Sequence, residues 1–233
     1  MSNKPLLFLG SNSNLQIFIE TAQRQGLTVA GIIDQDYFGN VTELHGLPVV
    51  GSELEFSDPE KLADYCTNYD FFIATNWSND IAHIRDTEKR KYLISTCRKY
   101  NVNCINLIDP SAIISSDAVL GKGIYIGSFV YVEPNTQIDD FAQLWFGTGI
   151  SHGSKIGENT ILQRQCGISG VIGKNVYVGL WVKIFNSDTA KIGDNVVINP
   201  GLYVARDVKD GEHVRLTRQS QRVYQYPAQI DAG

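Results

Sequence analysis

Large aliphatic residues recur at every sixth position through the second half of the chain. The run begins at Ile108 and ends at Ile168, and each of its eleven slots holds Ile, Leu or Val. A mostly small residue follows four positions after each slot, from Ala112 to Cys166. A period of six matches neither the 3.6-residue period of an α-helix nor the two-residue alternation of a plain strand. It is typical of a short strand and a turn, repeated so that three hexads close one triangular coil. The pattern therefore predicts a parallel β-helix.

The register of this repeat breaks once. After Ile168 the aliphatic slots continue at Ile172, Val178, Ile184, Ile192, Ile198 and Val204. The spacing corresponds to a two-residue deletion that is offset by a two-residue insertion within residues 185–191. The insertion is either a swollen corner or a loop that shapes a binding site, and the sequence leaves both interpretations open.

The first hundred residues follow a different pattern, in which apolar runs alternate with amphipathic segments. Buried strands are predicted at residues 5–10, 27–34, 47–51 and 70–75, helices at 15–26 and 86–101, and a short strand at 102–108. This alternation indicates a small parallel, Rossmann-like α/β sheet. We therefore divide the chain into an α/β domain at 1–106, a β-helix domain at 107–215 and a locally basic tail at 216–233.

Polar residues follow the predicted strands of the α/β half. The sequence GSNSN stands at the first strand-to-helix turn, where backbone N–H groups suit a phosphate or a ribose. Only its glycine matches a dinucleotide-binding motif, so an ordinary strand-to-helix turn remains the alternative interpretation. An aspartate that ends the second strand either accepts hydrogen bonds from a ligand or caps the next turn. The candidate ligand-binding residues are Gly10, Ser11, Asn12, Ser13, Asp34 and Asn76.

Composition narrows the class of protein further. The net charge of -5 argues against nucleic acid or an anionic membrane as the main partner. No apolar run approaches the roughly 18 to 20 residues of a membrane-spanning helix, and the first apolar run is too short for a signal peptide. The four cysteines form no CxxC pair and no zinc-type spacing with histidine. We read them as reduced thiols and expect a cytoplasmic protein without a structural metal.

Several motifs resemble those of the hexapeptide-repeat sugar acyltransferases, of the sialic-acid O-acetyltransferase and bacillosamine N-acetyltransferase type. They are LFLGSNSN, VAGIIDQD and HGLPVVGS in the α/β half, and the hexads, SHGSKIG and VARDVKDG in the second half. The resemblance covers about residues 5–212. It implies a left-handed β-helix, a homotrimer and acetyl-CoA as the donor. It further implies a nucleotide-linked amino sugar held by the α/β domain, as used in O-antigen or capsule biosynthesis.

The resemblance also assigns roles to residues of the β-helix. His152 in SHGSKIG matches the catalytic histidine of the family, so it is expected to act as the general base. Gly170 lies 18 residues later, where the family keeps glycine, and its N–H is expected to stabilise the oxyanion. Acetyl-CoA is expected between subunits near the C-terminal coils, close to Gly201. Its phosphates would meet basic residues, although a solvated basic tail is equally compatible with Arg206, Lys209, Arg215 and Arg218.

The chain departs from the family at three usually polar positions, which are Trp145, Ser151 and Ile161 here. His152 therefore lacks the usual neighbours that orient it. Asn186 or Asp188 in the inserted segment could supply a polar group, and both are candidate substrate-binding residues.

Three other functions compete with N-acetylation. A β-helical carbonic anhydrase needs three histidines for zinc, and the hexads carry one. O-acylation of a related sugar and a non-catalytic assembly subunit remain as alternatives. A trimer is expected because the β-helix holds more large aromatic residues than its interior can bury, namely Trp145, Phe146, Trp181 and Phe185.

Overall fold

The computed structural model describes residues 4–75, 84–185 and 191–215. The N-terminal half contains a five-stranded sheet in the order β3-β4-β2-β1-β5, parallel except for the β3/β4 pair. Its strands are β1 (Leu6–Leu9), β2 (Val29–Ile33), β3 (Glu43–Leu44), β4 (Leu47–Gly51) and β5 (Asp70–Ile73). Its helices are α1 (Leu15–Arg24), α2 (Pro59–Asn68) and α3 (Ile84–Lys99), with a 3-10 helix at Glu53–Ser57. The predicted parallel α/β half is confirmed.

The second half consists of two-residue strands that stack into three parallel sheets, which we call faces. The first face contains β6 (Leu107–Ile108), β9 (Tyr125–Ile126), β12 (Gln143–Leu144), β15 (Ile161–Leu162), β18 (Tyr177–Val178), β21 (Val197–Ile198) and β23 (His213–Val214). The second contains β7 (Ile113–Ile114), β10 (Tyr131–Val132), β13 (Gly149–Ile150), β16 (Gly167–Ile168), β19 (Lys183–Ile184) and β22 (Tyr203–Val204). The third contains β8 (Val119–Leu120), β11 (Gln137–Ile138), β14 (Lys155–Ile156), β17 (Val171–Ile172) and β20 (Lys191–Ile192). Successive strands visit the three faces in turn, as in a left-handed β-helix.

The hexad slots form the interior of this prism. Each slot from Ile108 to Val204 is the second residue of a strand, and these residues form one continuous apolar core with the apolar members of the second pattern, such as Ala142 and Cys166. The corners adopt left-handed backbone conformations, but glycine and asparagine do not account for all of them. Phe129, Phe141 and Trp181 also have φ angles of 56°, 61° and 59°. The deletion after Ile168 shortens one corner between the second and third faces, and the insertion falls in the same corner one coil later.

Helix α1 packs against the first face and joins the two halves. The Phe18 ring lies 4.9 Å from that of Tyr125 and 5.7 Å from that of Trp145, measured between centroids. Trp145 is only 2% exposed, and Ile161 is fully buried in the same cluster. Our expectation that an oligomer interface covers Trp145 is therefore wrong, because α1 of the same chain already covers it. Phe146, Trp181 and Phe185 remain exposed within the chain.

The buried Arg90 side chain connects α3 to the β-helix, where the two halves of the chain meet. The Arg90 guanidinium donates to the carbonyls of Thr75 and Phe141 at 2.6 Å each, and to Asn159 Oδ1 at 2.8 Å. Burial lowers the pKa of Arg90 to about 9, so the group remains charged at neutral pH. Gln143 also donates to the Thr75 carbonyl, at 3.0 Å. The C-terminal end of β5 is thus held against the β-helix by two side chains.

Within the described ranges, no helix has the length and apolar character that crossing a membrane requires.

Candidate functional site

His152 lies at the corner between the second and third faces, and a carboxylate holds it in place. Glu133 Oε2 accepts the His152 backbone N–H at 2.8 Å and lies 3.2 Å from Nδ1 of the ring. Because a carboxylate only accepts, Nδ1 must carry the proton in this contact, which leaves Nε2 as the basic nitrogen. These hydrogen bonds lower the pKa of Glu133, so it is a carboxylate at neutral pH. The His152 side chain is 73% exposed and open to a reactant.

Glu133 supplies the orienting group that His152 lacks among its neighbours in the sequence. It lies one coil before His152, and its side chain reaches across the coil spacing of about 4.8 Å. Subtracting one 18-residue coil from 152 points to position 134, next to Glu133. Stacking the hexads by coil would therefore have revealed the pair.

An open groove of about 340 Å³ runs along the second face to this corner. Gly149 and Gly167 form part of its floor, and a Cβ added at Gly149 would meet no atom within 4 Å. The groove is lined by Tyr131, Glu133, Gly149, Ile150, Ser151, Gly167, Lys183, Phe185 and Tyr203. It offers a largely apolar channel that ends beside the His152–Glu133 pair.

Gly170 lies in the shortened corner, one coil beyond His152, with a φ of 115°. Its N–H donates to Ser154 Oγ at 3.2 Å, and its carbonyl accepts the N–H of Lys155 at 3.0 Å. The N–H is buried and already has an acceptor, and the oxyanion role of Gly170 stays a prediction.

The first strand-to-helix turn is shaped by close packing at Gly10. A Cβ at Gly10 would lie 2.7 Å from Leu93 and 2.8 Å from Thr75, and its φ is 70°, so glycine is required there. Ser11 Oγ donates to Asp34 at 2.7 Å, and Asn12 Oδ1 accepts the N–H of Asn14 at 2.9 Å. Ser13 is exposed. The turn is therefore held by close packing at Gly10, by Asp34 and by Asn12, and Ser13 is its most accessible candidate.

Asp34 is buried and hydrogen-bonded to several donors. Besides Ser11, it accepts from Lys89 Nζ at 2.5 Å and from the Asp36 N–H at 3.0 Å. Lys89 also donates to Asp36 at 2.7 Å. Burial lowers the pKa of Lys89, but the hydrogen bonds to the two aspartates outweigh it, and the net shift is upward. Asp34 orients the turn, while Asp36 presents the more exposed carboxylate of the pair.

Two buried polar atoms at the same sheet edge lack hydrogen-bond partners among the described residues. They are Thr75 Oγ1, at the end of β5, and Glu53 Oε1, just after β4. Burial raises the pKa of Glu53, while its other oxygen accepts the Gln35 N–H at 2.8 Å. The sequence pattern did not indicate Lys89, Glu53 or Thr75 as part of a site, because their neighbours in space come from separate elements.

The predicted donor-binding residues lie in the last coils. Arg206 pairs with Glu212 and donates to the Asp207 carbonyl at 2.8 Å, so its charge is partly satisfied. Gly201 occupies a corner between the first and second faces with a φ of 74°. Arg215 is exposed at the end of the described chain. Asn76, Asn186, Asp188 and Arg218 lie outside the described residues.

The two candidate sites do not meet within one chain. The α/β half packs on the first face and its corner with the third, whereas His152 occupies the opposite corner of the prism. No group of three or more His, Cys, Asp or Glu side chains within residues 4–75, 84–185 and 191–215 could hold a metal ion.

Known proteins share this architecture. No family model matches the chain. The chain is 30% identical over 120 residues to the bifunctional protein GlmU of Ruthia magnifica subsp. Calyptogena magnifica, a match that covers 49% of this chain and 26% of that protein. The chain thus spans about a quarter of the length of the curated relative it matches.

Solved structures match almost the whole chain. WeeI from Acinetobacter baumannii AYE has a TM-score of 0.74 at 20% identity, covering 90% of this chain and 95% of that one. PerB from Caulobacter crescentus, solved with CoA and GDP-perosamine, has a TM-score of 0.66 at 22% identity, covering 91% and 94%. The acetyltransferase domain of PglB from Neisseria gonorrhoeae FA1090 has a TM-score of 0.68 at 15% identity, covering 90% and 95%. At these identities the likeness shows the fold, and the fold expected from the sequence is confirmed.

Proposed function

We propose that the chain transfers an acetyl group from acetyl-CoA to the amino group of a nucleotide-linked amino sugar. The observation that carries this proposal is the exposed His152 imidazole, oriented by Glu133 at the end of an apolar groove. A fold shared with PerB, which was solved with CoA and GDP-perosamine, supports the choice of substrates. The α/β domain at 1–106 would hold the nucleotide and the β-helix domain at 107–215 would hold the donor.

The chemistry follows from the geometry at His152. Nε2 accepts a proton from the sugar amine as its nitrogen attacks the thioester carbonyl, so that a C–N bond forms. The tetrahedral intermediate then expels the CoA sulfur, which takes a proton as the C–S bond breaks. Glu133 keeps Nδ1 protonated and stabilises the imidazolium. The groove on the second face would hold the pantetheine arm of the donor.

A trimer would bring the two substrates together. The acceptor held by one α/β domain lies on the opposite side of the prism from His152 of the same chain, so a neighbouring subunit would supply the base. Exposed aromatic residues near the corner between the first and second faces offer a contact surface, and they include Phe129, Phe146 and Trp181.

We expect light scattering to give three times the 25.9 kDa mass of the chain at micromolar concentration. Trp181→Glu should shift the population towards monomers, because Trp181 is 59% exposed within the chain and a charge would be costly to bury. Leu54→Glu, at an equally exposed position of the α/β half, should leave the mass unchanged. A monomeric wild-type protein would contradict the trimer.

The basic residues of the last coils are expected to bind the phosphates of acetyl-CoA. Arg206→Ala combined with Arg215→Ala should weaken acetyl-CoA binding about 10- to 100-fold, the usual worth of charge-assisted hydrogen bonds. Glu212→Gln should strengthen it, because it releases Arg206 from its ion pair. Calorimetric titration measures the affinity of both proteins for acetyl-CoA. An unchanged affinity in the double variant would contradict the expected binding of phosphates by these arginines.

The proposed activity is tested by release of the CoA thiol with a panel of nucleotide-linked amino sugars. We expect release with an amino sugar and none with the matching hydroxy sugar. Release with the hydroxy sugar alone would reassign the reaction to O-acylation. A protein that binds neither acetyl-CoA nor any nucleotide sugar of the panel would overturn the proposal, and crystals soaked with both ligands would locate the acceptor.

A further inference from the structure

Lys183 is the one cation among the described residues that line the groove on the second face. It is the first residue of β19, so its side chain points outward, in line with Gly149 and Gly167 on the neighbouring strands. The side chain folds back over Gly167, because a Cβ placed there would lie 2.9 Å from Lys183 Cδ and 3.1 Å from its Nζ. The ammonium therefore lies about one coil nearer to His152 than the backbone of Lys183 does.

The protein supplies no partner for this ammonium within the described part of the chain. Lys183 forms no side-chain hydrogen bond or ion pair there. The one carboxylate that lines the groove, Glu133, is engaged by His152 at the other end. Burial raises the pKa of the nearby Cys166 thiol to about 12, so that group is neutral at pH 7 and offers no counter-charge. The three N–H donors of Lys183 are thus available to a ligand in the groove.

The spacing of the coils identifies the part of acetyl-CoA that would meet the ammonium. Gly149 and His152 belong to one coil, and Gly167 lies one coil of about 4.8 Å further along the face. The amide carbon nearest the sulfur of acetyl-CoA is about 5 Å from it in an extended chain, slightly more than the distance of about 3.8 Å between neighbouring Cα atoms. With the thioester beside His152, this amide falls over Gly167, below the ammonium of Lys183.

The phosphates of acetyl-CoA lie too far along the arm to be the group that Lys183 meets. An extended pantetheine arm places them roughly 16 Å from the sulfur, which corresponds to about three coils. Three coils beyond Gly149 the second face reaches β22, and Arg206 follows that strand. The amide and the phosphates would therefore meet different cations, Lys183 and Arg206.

From this arrangement we infer that Lys183 donates a hydrogen bond to the carbonyl of the amide nearest the sulfur of acetyl-CoA. This contact fixes the position of the donor along the second face and holds the thioester beside His152. Lys183 is a donor-positioning residue and takes no part in proton transfer. Gly149 and Gly167 let the arm lie against the backbone, because neither carries a side chain. The inference rests on the proposed function, because it takes acetyl-CoA as the molecule in the groove.

The test pairs a change in the protein with a change in the ligand. Calorimetric titration gives the Kd of acetyl-CoA and of an analogue in which methylene groups replace that amide. Lys183→Met should weaken binding of acetyl-CoA about tenfold, as expected for loss of a hydrogen bond to a charged group, and change binding of the analogue less than about twofold. Lys183→Arg should keep part of the affinity for acetyl-CoA, because it keeps a charged donor. Lys191→Met removes an outward lysine of the third face in the same coil and should leave both affinities unchanged.

The outcomes separate this inference from the proposed function. A wild-type protein that does not bind acetyl-CoA overturns the proposed function, and this inference with it. Wild-type binding with an unchanged affinity in Lys183→Met overturns only the role of Lys183. Equal weakening of acetyl-CoA and of the analogue in Lys183→Met also overturns it, because the lost contact would then lie elsewhere on the donor. A smaller mass of Lys183→Met than of wild type in light scattering would assign Lys183 to a subunit contact and overturn the inference as well.

Discussion

His152→Ala is expected to lower turnover by about 100- to 10,000-fold, the usual worth of a positioned general base. The Kd values of acetyl-CoA and of the acceptor should stay close to wild type, because His152 moves a proton and anchors neither ligand. The imidazole is exposed, so its removal leaves no cavity in the core. Steady-state kinetics with separate binding measurements would check this split between catalysis and binding.

Two further variants separate the proton-transfer role from a merely structural one. Glu133→Gln still accepts the His152 backbone N–H but no longer carries the charge that stabilises an imidazolium. It should lower turnover by roughly tenfold or more, less than the loss of His152 itself. His213→Ala removes another exposed imidazole, held by Asn199 at 2.8 Å, and should have no effect. If His152→Ala turned over as fast as wild type, His152 would not be the general base. An already neutral amine would then attack the thioester without one.

The β-helix could be predicted from the sequence because its repeat is local and regular. Each hexad places one aliphatic residue inward, as the interior slots confirm. The deletion at Gly170 and the insertion one coil later were also visible, since they shift the spacing of these slots. The repeat does not indicate which outward-pointing residues of the β-helix are buried by another element of the chain. Trp145 was expected to face a neighbouring chain, yet it packs under α1.

Helix α2 was missed although its boundary carries a clear signal. Asp58 caps the helix by accepting the N–H groups of Glu60 and Lys61, and Pro59 occupies its first turn. No α2 residue is fully buried, so the apolar periodicity on which the other helices were predicted is weak there. Capping residues were the better guide in this segment.

The candidate site was harder to predict, because its contacts join residues that are distant in sequence. His152 could be predicted from a motif. Predicting Glu133 requires the length of a coil, and predicting Lys89 requires knowledge of how α3 packs against the edge of the sheet. Asp34 was expected either to accept from a ligand or to cap the next turn, and in the structure it accepts from Lys89, from Ser11 and from the Asp36 N–H of that turn. In a sequence, an aspartate that binds a ligand cannot be distinguished from one that accepts hydrogen bonds within the protein. The positions of the hydrogen-bond donors are needed to tell them apart.

The ion pairs of Lys89 are expected to contribute strongly to the free energy of unfolding. Lys89→Met leaves the fully buried Asp34 carboxylate without its cation, and breaking a buried pair in this way costs about 3–5 kcal/mol. That is a large part of the roughly 5–15 kcal/mol that stabilises a folded protein. Lys91→Met, two residues away in an exposed pair, should change the free energy of unfolding by less than about 0.5 kcal/mol. Urea titration of both variants checks the difference.

The pH dependence gives an independent test of the same pair. The pKa of Lys89 is raised in the folded protein, so its stabilising contribution is complete below the unfolded pKa of about 10.4 and is lost as pH rises through the folded value. The gap in unfolding free energy between wild type and Lys89→Met should therefore be constant near neutral pH and narrow only above about pH 10.4. Asp34→Asn combined with Lys89→Met should recover part of the lost stability, because no buried charge then remains unpaired at Asp34. A Lys89→Met protein as stable as wild type at pH 7 would show that the pair contributes nothing to the stability of the fold.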